Sequence, residues 1–201
     1  MVKLFIIKTI LGDDIMFIPV KEAYLELTPE EFEKYSLELL SEQTRGLENL
    51  KIEHNRVIEA FDGNYQIDGY IEFTVMGIKY KTLVECKHYK SSITREKVQI
   101  LYEKIQSIGA QKGILISTSN FQSGAIQYAS THGIALIQLT EADIHYETRG
   151  RLNVVVQYGL PSQNYGKKYV GILLNQGDSG SITCSHLSKT RQTLREFLEN
   201  N

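Results

Sequence analysis

Two short apolar runs separated by a helical segment constrain the fold of this chain more than any other feature. Residues 112–118 and 134–139 each have the composition of a buried strand, and residues 123–132 between them have helical spacing. A strand, a short helix and a second strand in this order predict a right-handed crossover between parallel strands. The sequence therefore predicts that part of this chain folds as an α/β sheet.

A hairpin and a helix are predicted before this crossover. From Tyr65 the pattern has a period of two residues, and after a turn at Met76-Gly77 a second strand runs from Ile78 to Lys87. A helix capped by Ser92 or Thr94 and ended by Gly109 follows. Alternation in the first strand places Ile67, Gly69, Ile71 and Phe73 on one face and Gln66, Asp68, Tyr70 and Glu72 on the other.

A further helix start lies at Thr28, where Pro29 fits the first helical position and Glu31 completes a capping box. This helix should end near Gly46, and residues 47–60 remain open between a helix and a strand. The whole order predicts an α/β protein with a mixed β-sheet flanked by helices on both faces.

We expect three regions, an extension at residues 1–27, a central domain at 28–145 and a second extension at 146–201, although no linker composition marks a boundary between them. The elements predicted in the extensions are a hairpin of strands 2–7 and 15–20, strands at 154–158 and 169–174, and a helix from Thr190 through Leu198.

Composition excludes several classes of protein. No apolar run approaches the length of about 20 residues that a membrane span needs, and Lys8 and Asp13 interrupt the first apolar stretch too early for a signal peptide. Two cysteines without a ligand pattern exclude a disulfide framework and a zinc motif. We therefore expect a soluble, cytoplasmic protein. Its formal charge is only -2, but residues 81–104 carry six bases against three acids, which favours a local positive surface.

Three polar side chains converge if the predicted hairpin forms. Asp68 lies opposite the apolar face of its strand, and Glu85 and Lys87 share one face of the next strand. Two carboxylates form an oxygen site suited to Mg²⁺, which takes one or two protein carboxylates together with waters and a phosphate. Lys87 would stabilise negative charge on that phosphate.

These residues and their context resemble the Mrr-type restriction endonuclease domain of the PD-(D/E)xK nuclease superfamily. The similarity covers residues 28–140 and includes Glu-Cys-Lys-His-Tyr at 85–89 and Lys-Gly-Ile-Leu-Ile-Ser-Thr-Ser-Asn-Phe at 112–121. It implies a metal-dependent endonuclease that hydrolyses phosphodiester bonds of double-stranded DNA in a restriction or DNA-defence role, with Mg²⁺ as cofactor and Mn²⁺ able to substitute. It implies Asp68, Glu85 and Glu33 as metal ligands, Lys87 as catalytic base or charge stabiliser, and Gln99 as a further catalytic residue.

A nuclease must also hold a polyanion, and basic residues flank the predicted site. The candidate DNA contacts are Lys81, Lys90, Arg95 and Lys97, and Lys104 lies in the same segment. Further basic residues near the carboxyl end, which could form a clamp, are Lys167, Lys168, Lys189, Arg191 and Arg195. His54 has no partner at a suggestive spacing, so we expect it to be an ordinary residue.

Two other functions stay open at this point, namely a structure-selective repair or junction nuclease and a non-catalytic nucleic-acid-binding module with a nuclease fold. A homodimer, which would let such a nuclease cut both strands, is likewise left open.

Overall fold

The structure, a computed structural model, describes residues 5–8, 15–18, 27–141, 169–176, 181–187 and 193–199. The helices within these residues are α1 (Pro29–Gln43), α2 (Arg95–Ile108), α3 (Ser123–Thr131) and α4 (Thr193–Glu199). The strands within the same residues are β1 (Phe5–Lys8), β2 (Ile15–Ile18), β3 (Glu48–Ala60), β4 (Gly63–Val75), β5 (Ile78–Lys87), β6 (Lys112–Ser117), β7 (Ile134–Glu141), β8 (Tyr169–Gln176) and β9 (Ile182–His186).

In the described part of the chain, seven strands form one mixed sheet in the order β3-β4-β5-β6-β7-β8-β9. Strands β3, β4 and β5 are antiparallel, and β5, β6 and β7 are parallel through the crossovers that contain α2 and α3. Strands β8 and β9 continue the sheet in antiparallel fashion beside β7. The predicted hairpin, crossover and mixed sheet are therefore confirmed. Strands β1 and β2 pair separately as an antiparallel hairpin, as predicted.

Helices cover both faces of this sheet, and each face has its own apolar core. Helices α1 and α4 contribute Phe32, Leu40 and Leu194 to one core. Helices α2 and α3 contribute Leu101 and Ile126 to the other. Burial on both faces explains why β6 and the start of β7 are almost continuously apolar. The predicted architecture, with helices on both faces of a mixed sheet, is confirmed.

Helix α1 begins at the predicted capping box. The Thr28 hydroxyl accepts a hydrogen bond from the backbone N–H of Glu31 at 3.3 Å, and the Glu31 carboxylate accepts one from the N–H of Thr28 at 2.7 Å. Because this box fixes the first turn, it also fixes the directions of the next side chains. Phe32 is buried in the core, and Glu33 is half-buried beside it.

Some elements differ from the prediction or complete it. Residues 47–60, left open by the pattern, form β3, whose polar and apolar residues alternate weakly because it is the edge strand of the sheet and half exposed. Strand β9 is missed because five residues carry too little pattern. Strand β8 and helix α4 agree with the predicted strand at 169–174 and the predicted final helix. The predicted strand at 154–158 and the predicted cap Thr190 lie outside the described residues.

The predicted alternation along β4 is correct at its carboxyl end and wrong at Ile67. Ile71 and Phe73 lie in the core under α1, whereas Ile67 is buried in the opposite core with α2 and α3. The odd-numbered side chains therefore change face within the strand, and Asp68 occupies the point of change. The paired register of β4 with β5 ends next to it, at Gly69. Asp68 thus lies at a fork between the two strands.

Gly69 allows α1 to pack directly on β4. A Cβ at this position would lie 2.4 Å from Leu37 Cδ2 and 3.0 Å from Val84 Cβ. We expect Gly69→Ala to lower the free energy of unfolding by about 1–3 kcal/mol, since overpacking displaces core side chains. The control is Gly124→Ala in α3, where the nearest contact would be Arg95 Cβ at 3.9 Å and alanine should favour the helix by about 1 kcal/mol. Urea unfolding measures both, and equal stability of the two variants would contradict the prediction.

Candidate active site

The Asp68 side chain replaces a backbone acceptor where β4 and β5 separate. Its Oδ2 accepts a hydrogen bond of 2.7 Å from the backbone N–H of Cys86. A regular antiparallel ladder would satisfy that N–H with a carbonyl group of β4. The fork therefore binds the Asp68 carboxylate to β5 beside Glu85, and the structure brings together the two acids that the sequence places on neighbouring strands.

Glu85 is a buried carboxylate with one lysine on each oxygen. Lys87, two residues further along the same face of β5, donates to Oε1, and Lys104 of α2 donates to Oε2 at 2.9 Å. The Glu85 side chain is 9% exposed, and both lysine side chains are 18% exposed. A carboxylate so far from solvent needs charged partners. The two ammonium groups offset the cost of burying its charge.

The charges at this fork act on one another strongly. Burial raises the pKa of the Asp68 carboxyl, and the negative charge of Glu85 raises it further, against the opposing effects of the Cys86 N–H and of Lys87. Burial alone would lower the pKa of Lys87, but Glu85 and Asp68 attract its charge and raise the pKa above the ordinary value. These acidic neighbours favour the ammonium form of Lys87, which can stabilise negative charge.

Glu33 approaches the fork from α1. Its Oε2 lies 2.8 Å from His54 Nε2, and both side chains are about one-quarter exposed, at 26% and 28%. Strand β3 positions His54 opposite Gly69, one residue from Asp68 along β4. The negative charge of Glu33 contributes to the raised pKa of Asp68. The structure thus gives His54, which we expected to be ordinary, a partner in Glu33 that its spacing in the sequence did not indicate.

The other predicted catalytic residue, Gln99, is half-buried on α2. Within the described residues it forms no hydrogen bond with Asp68, Glu85 or Lys87. Lys104 makes the contact from α2 to Glu85 instead. The geometry therefore supports Gln99 less directly than it supports the three residues at the fork.

The candidate DNA contacts fall into two places. Lys90 lies in the loop after β5, and Arg95 and Lys97 lie in the first turn of α2. Hydrogen bonds from Thr118 to the loop, among them 2.9 Å from its hydroxyl to the Tyr89 carbonyl, hold that loop at the carboxyl edge of β5 and β6. Lys81, by contrast, lies six residues before Lys87, about 20 Å away along an extended strand. Of the basic residues predicted near the carboxyl end, Arg195 pairs with Glu199 at 3.0 Å, and Lys167, Lys168, Lys189 and Arg191 lie outside the described residues.

The donor atoms at the fork fit a magnesium ion. Among the described residues, no set of three or more His, Cys, Asp or Glu side chains is arranged as a complete metal site. Mg²⁺ does not require one, because it is usually bound by one or two carboxylates with waters and substrate phosphates. Burial raises the pKa of Asp68 most, and the charge of Glu85 raises it further; a divalent cation between the two carboxyl groups would relieve this second, repulsive effect. Asp68 and Glu85 are the residues that would hold it.

An aspartate and a Glu-x-Lys motif joined at a strand fork, in a mixed sheet covered by helices, define a PD-(D/E)xK-type nuclease domain. The family model of the Mrr catalytic domain, described as restriction endonuclease, matches residues 24–143. The chain belongs to this restriction endonuclease family. Over 119 residues it is 30% identical to the type IV methyl-directed restriction enzyme EcoKMrr of Escherichia coli (strain K12), a match that covers 59% of this chain and 38% of that enzyme. The chain thus matches well under half the length of that relative.

Two solved structures are also similar to the chain. One is AF1548, a protein of unknown function. The match covers 52% of this chain and 54% of the AF1548 chain, with 17% sequence identity and a TM-score of 0.44. The other is the DNA modification-dependent restriction endonuclease AspBHI. The match covers 59% of this chain and 35% of the AspBHI chain, with 19% sequence identity and a TM-score of 0.35.

The sequence did not indicate the roles of Lys104 and His54. Lys104 follows Lys97 by seven residues, so the spacing places both on one face of α2, but it does not show that this face meets Glu85. His54 lies in the segment that the pattern leaves open, so the sequence could not predict which residue of β4 it would lie opposite.

In the described part of the chain, no helix is both long enough and apolar enough to span a membrane.

Proposed function

We propose that this chain is a Mg²⁺-dependent endonuclease that hydrolyses phosphodiester bonds of double-stranded DNA, with Mn²⁺ able to replace Mg²⁺. The observation that supports this most strongly is the meeting of Asp68, Glu85 and Lys87 at the fork of β4 and β5. Membership of the restriction endonuclease family supports a restriction role. We propose a cytoplasmic location on the same grounds.

Each residue at the fork has a distinct role in this proposal. Asp68 and Glu85 would hold the cation through carboxylate oxygens, and Glu33 would be a further ligand from α1. A bound Mg²⁺ supplies Lewis-acid stabilisation of a phosphoryl oxygen. Lys87, held as an ammonium ion by its acidic neighbours, stabilises the charge that builds up on the phosphate. Gln99 would orient the phosphate from α2.

In this proposal, the basic residues at the carboxyl edge of β5 and β6 contact the DNA. We propose that Lys90, Arg95 and Lys97 bind phosphates on one side of the cut, since all three lie where β5 ends and α2 begins. Lys81 could contact DNA only further along the duplex. Such contacts fix the position of the duplex and carry no sequence information.

We expect Lys97→Ala to weaken DNA binding by a similar factor for all sequences. The loss of one phosphate contact should reduce the slope of log affinity against log salt by about 0.9. Fluorescence anisotropy with a labelled duplex in Ca²⁺ buffer measures this slope. Lys79→Ala is the control, because Lys79 is 74% exposed and lies eight residues before Lys87 in β5. An unchanged slope for Lys97→Ala would remove this residue from the interface.

The domain boundaries and assembly are part of the proposal. We assign the catalytic domain to residues 28–145, with residues 146–201 adding β8 and β9 to its sheet and residues 1–27 forming a separate extension. One active site cuts one strand of DNA, so we propose that two copies of the chain act as a homodimer on a duplex. EcoKMrr is named as a methyl-directed enzyme, and we propose modified DNA as the first substrate to test.

Plasmid digestion tests the proposal. Supercoiled plasmid, prepared with and without methylation, is incubated with the protein in Mg²⁺ or in EDTA. We expect nicked and linear products in Mg²⁺ alone, with the methylated plasmid cut faster. Preference for branched DNA would favour a junction nuclease. DNA binding without cleavage of any substrate would favour the non-catalytic module.

A further inference from the structure

Glu85, a proposed metal ligand, has no carboxylate oxygen that is not in contact with a lysine. Lys87 contacts Oε1 and Lys104 contacts Oε2. A divalent cation that reaches Glu85 must therefore bind beside the positive charge of at least one ammonium group, which opposes it, or displace that group. The ammonium groups of Lys87 and Lys104 therefore already lie at Glu85, where the proposed function requires a divalent cation.

Lys104 is the one that comes from a separate element. Besides Glu85, it donates to the backbone carbonyl of Gln66 at 3.3 Å. Its helix is attached to the turn between β3 and β4 one helical turn later, where Ser107 Oγ donates to Asp62 Oδ2 at 2.7 Å. The packing of α2 on β6 is equally close, because a Cβ on Gly113 would lie 2.4 Å from Ile105 Cδ1. The packed helix thus fixes the backbone position from which the flexible Lys104 side chain reaches Glu85.

We propose that Lys104 competes with the divalent cation for Glu85, lowers the metal affinity of the free protein, and moves to a DNA phosphate when the cation binds. The inference rests on the proposed function, because it takes Glu85 as a metal ligand. An ammonium group that loses its carboxylate in a site 18% exposed needs another anion. The phosphodiester next to the cation is such an anion, so DNA and metal bind cooperatively.

The test measures Mn²⁺ binding by isothermal calorimetry in the absence of DNA, which requires no cleavage. We expect Lys104→Met, which removes the charge and keeps the length of the side chain, to bind Mn²⁺ about tenfold more tightly than wild type, a change of about 1.4 kcal/mol. Lys104→Arg keeps the charge and should bind Mn²⁺ like wild type. Lys79→Met removes an ammonium group that is exposed and 3.7 Å from Glu72, and it should leave the affinity unchanged.

A second measurement follows the proposed transfer to DNA. In Ca²⁺ buffer, Lys104→Met should lose one phosphate contact, and its salt slope for duplex binding should fall by about 0.9. Lys104→Gln, which still donates a hydrogen bond, repeats both measurements if thermal unfolding shows that Met impairs folding. Binding of Mn²⁺ by Lys104→Met with wild-type or lower affinity would overturn this inference and leave the proposed function standing. Failure of wild type and Lys104→Met alike to bind Mn²⁺ would contradict both.

Discussion

Lys87→Met is expected to yield a folded protein that binds DNA but cleaves it at least about 10²–10³ times more slowly than wild type. Lys87 is the one residue of the fork that carries positive charge on β5 itself, and its acidic neighbours keep it protonated at neutral pH. Loss of a preorganised cation that faces developing negative charge affects the transition state more than the bound substrate. Rates of plasmid nicking in saturating Mg²⁺ measure the effect.

Lys79→Met is the control for this variant, since it deletes an exposed ammonium group at the opposite end of the same strand. It should cut plasmid at the wild-type rate. Anisotropy in Ca²⁺ buffer separates the chemical step from binding, and Lys87→Met should keep most of its DNA affinity. Cleavage by Lys87→Met at a rate within a few-fold of wild type would exclude Lys87 from the chemistry.

The sequence predicts the framework of the site because that framework is local. Asp68, Glu85 and Lys87 lie on two strands joined by a tight turn, so short-range pattern and alternation suffice to bring them near one another. The capping box at Thr28 and the stop at Gly109 likewise depend on neighbouring residues only. The same locality explains why the helices flanking the sheet were placed correctly.

The remaining contacts of the site depend on packing between distant segments. Lys104 reaches Glu85 because α2 crosses the sheet at a particular angle, and His54 reaches Glu33 because an edge strand and α1 meet beside the fork. Neither the angle nor the meeting point is encoded in a periodic pattern. The change of face at Ile67 is also a tertiary effect, since two opposite cores compete for one strand.

Asp68 has a structural role at the fork besides the metal-binding role proposed for it. Its carboxylate satisfies a backbone N–H that the separated strands leave without a carbonyl partner. The same carboxylate lies beside Glu85, whose charge raises its pKa further, and the two would hold the proposed cation together. A substitution at Asp68 would therefore affect the local structure as well as the proposed chemistry, whereas Lys87→Met leaves the buried Glu85 its second ammonium partner, Lys104.

Phe32→Ala is expected to cause the largest loss of stability among the variants considered. Phe32 is 1% exposed in the core under α1, and its ring lies 5.5 Å from that of His88, next to Lys87 at the end of β5. Removing a buried phenyl ring leaves a cavity and costs about 3–5 kcal/mol. Because the free energy of unfolding of a domain is about 5–15 kcal/mol, this loss is a substantial part of the total.

Phe61→Ala provides the same chemical change at the surface. Phe61 lies between β3 and β4 and is 88% exposed, so its loss should change stability by no more than about 0.5 kcal/mol. Urea unfolding followed by circular dichroism compares the two variants with wild type. We expect the midpoint of Phe32→Ala to fall sharply and that of Phe61→Ala to stay in place. If the two midpoints moved together, α1 would not be packed on the sheet through Phe32, and the position of Glu33 beside the fork would lose its structural basis.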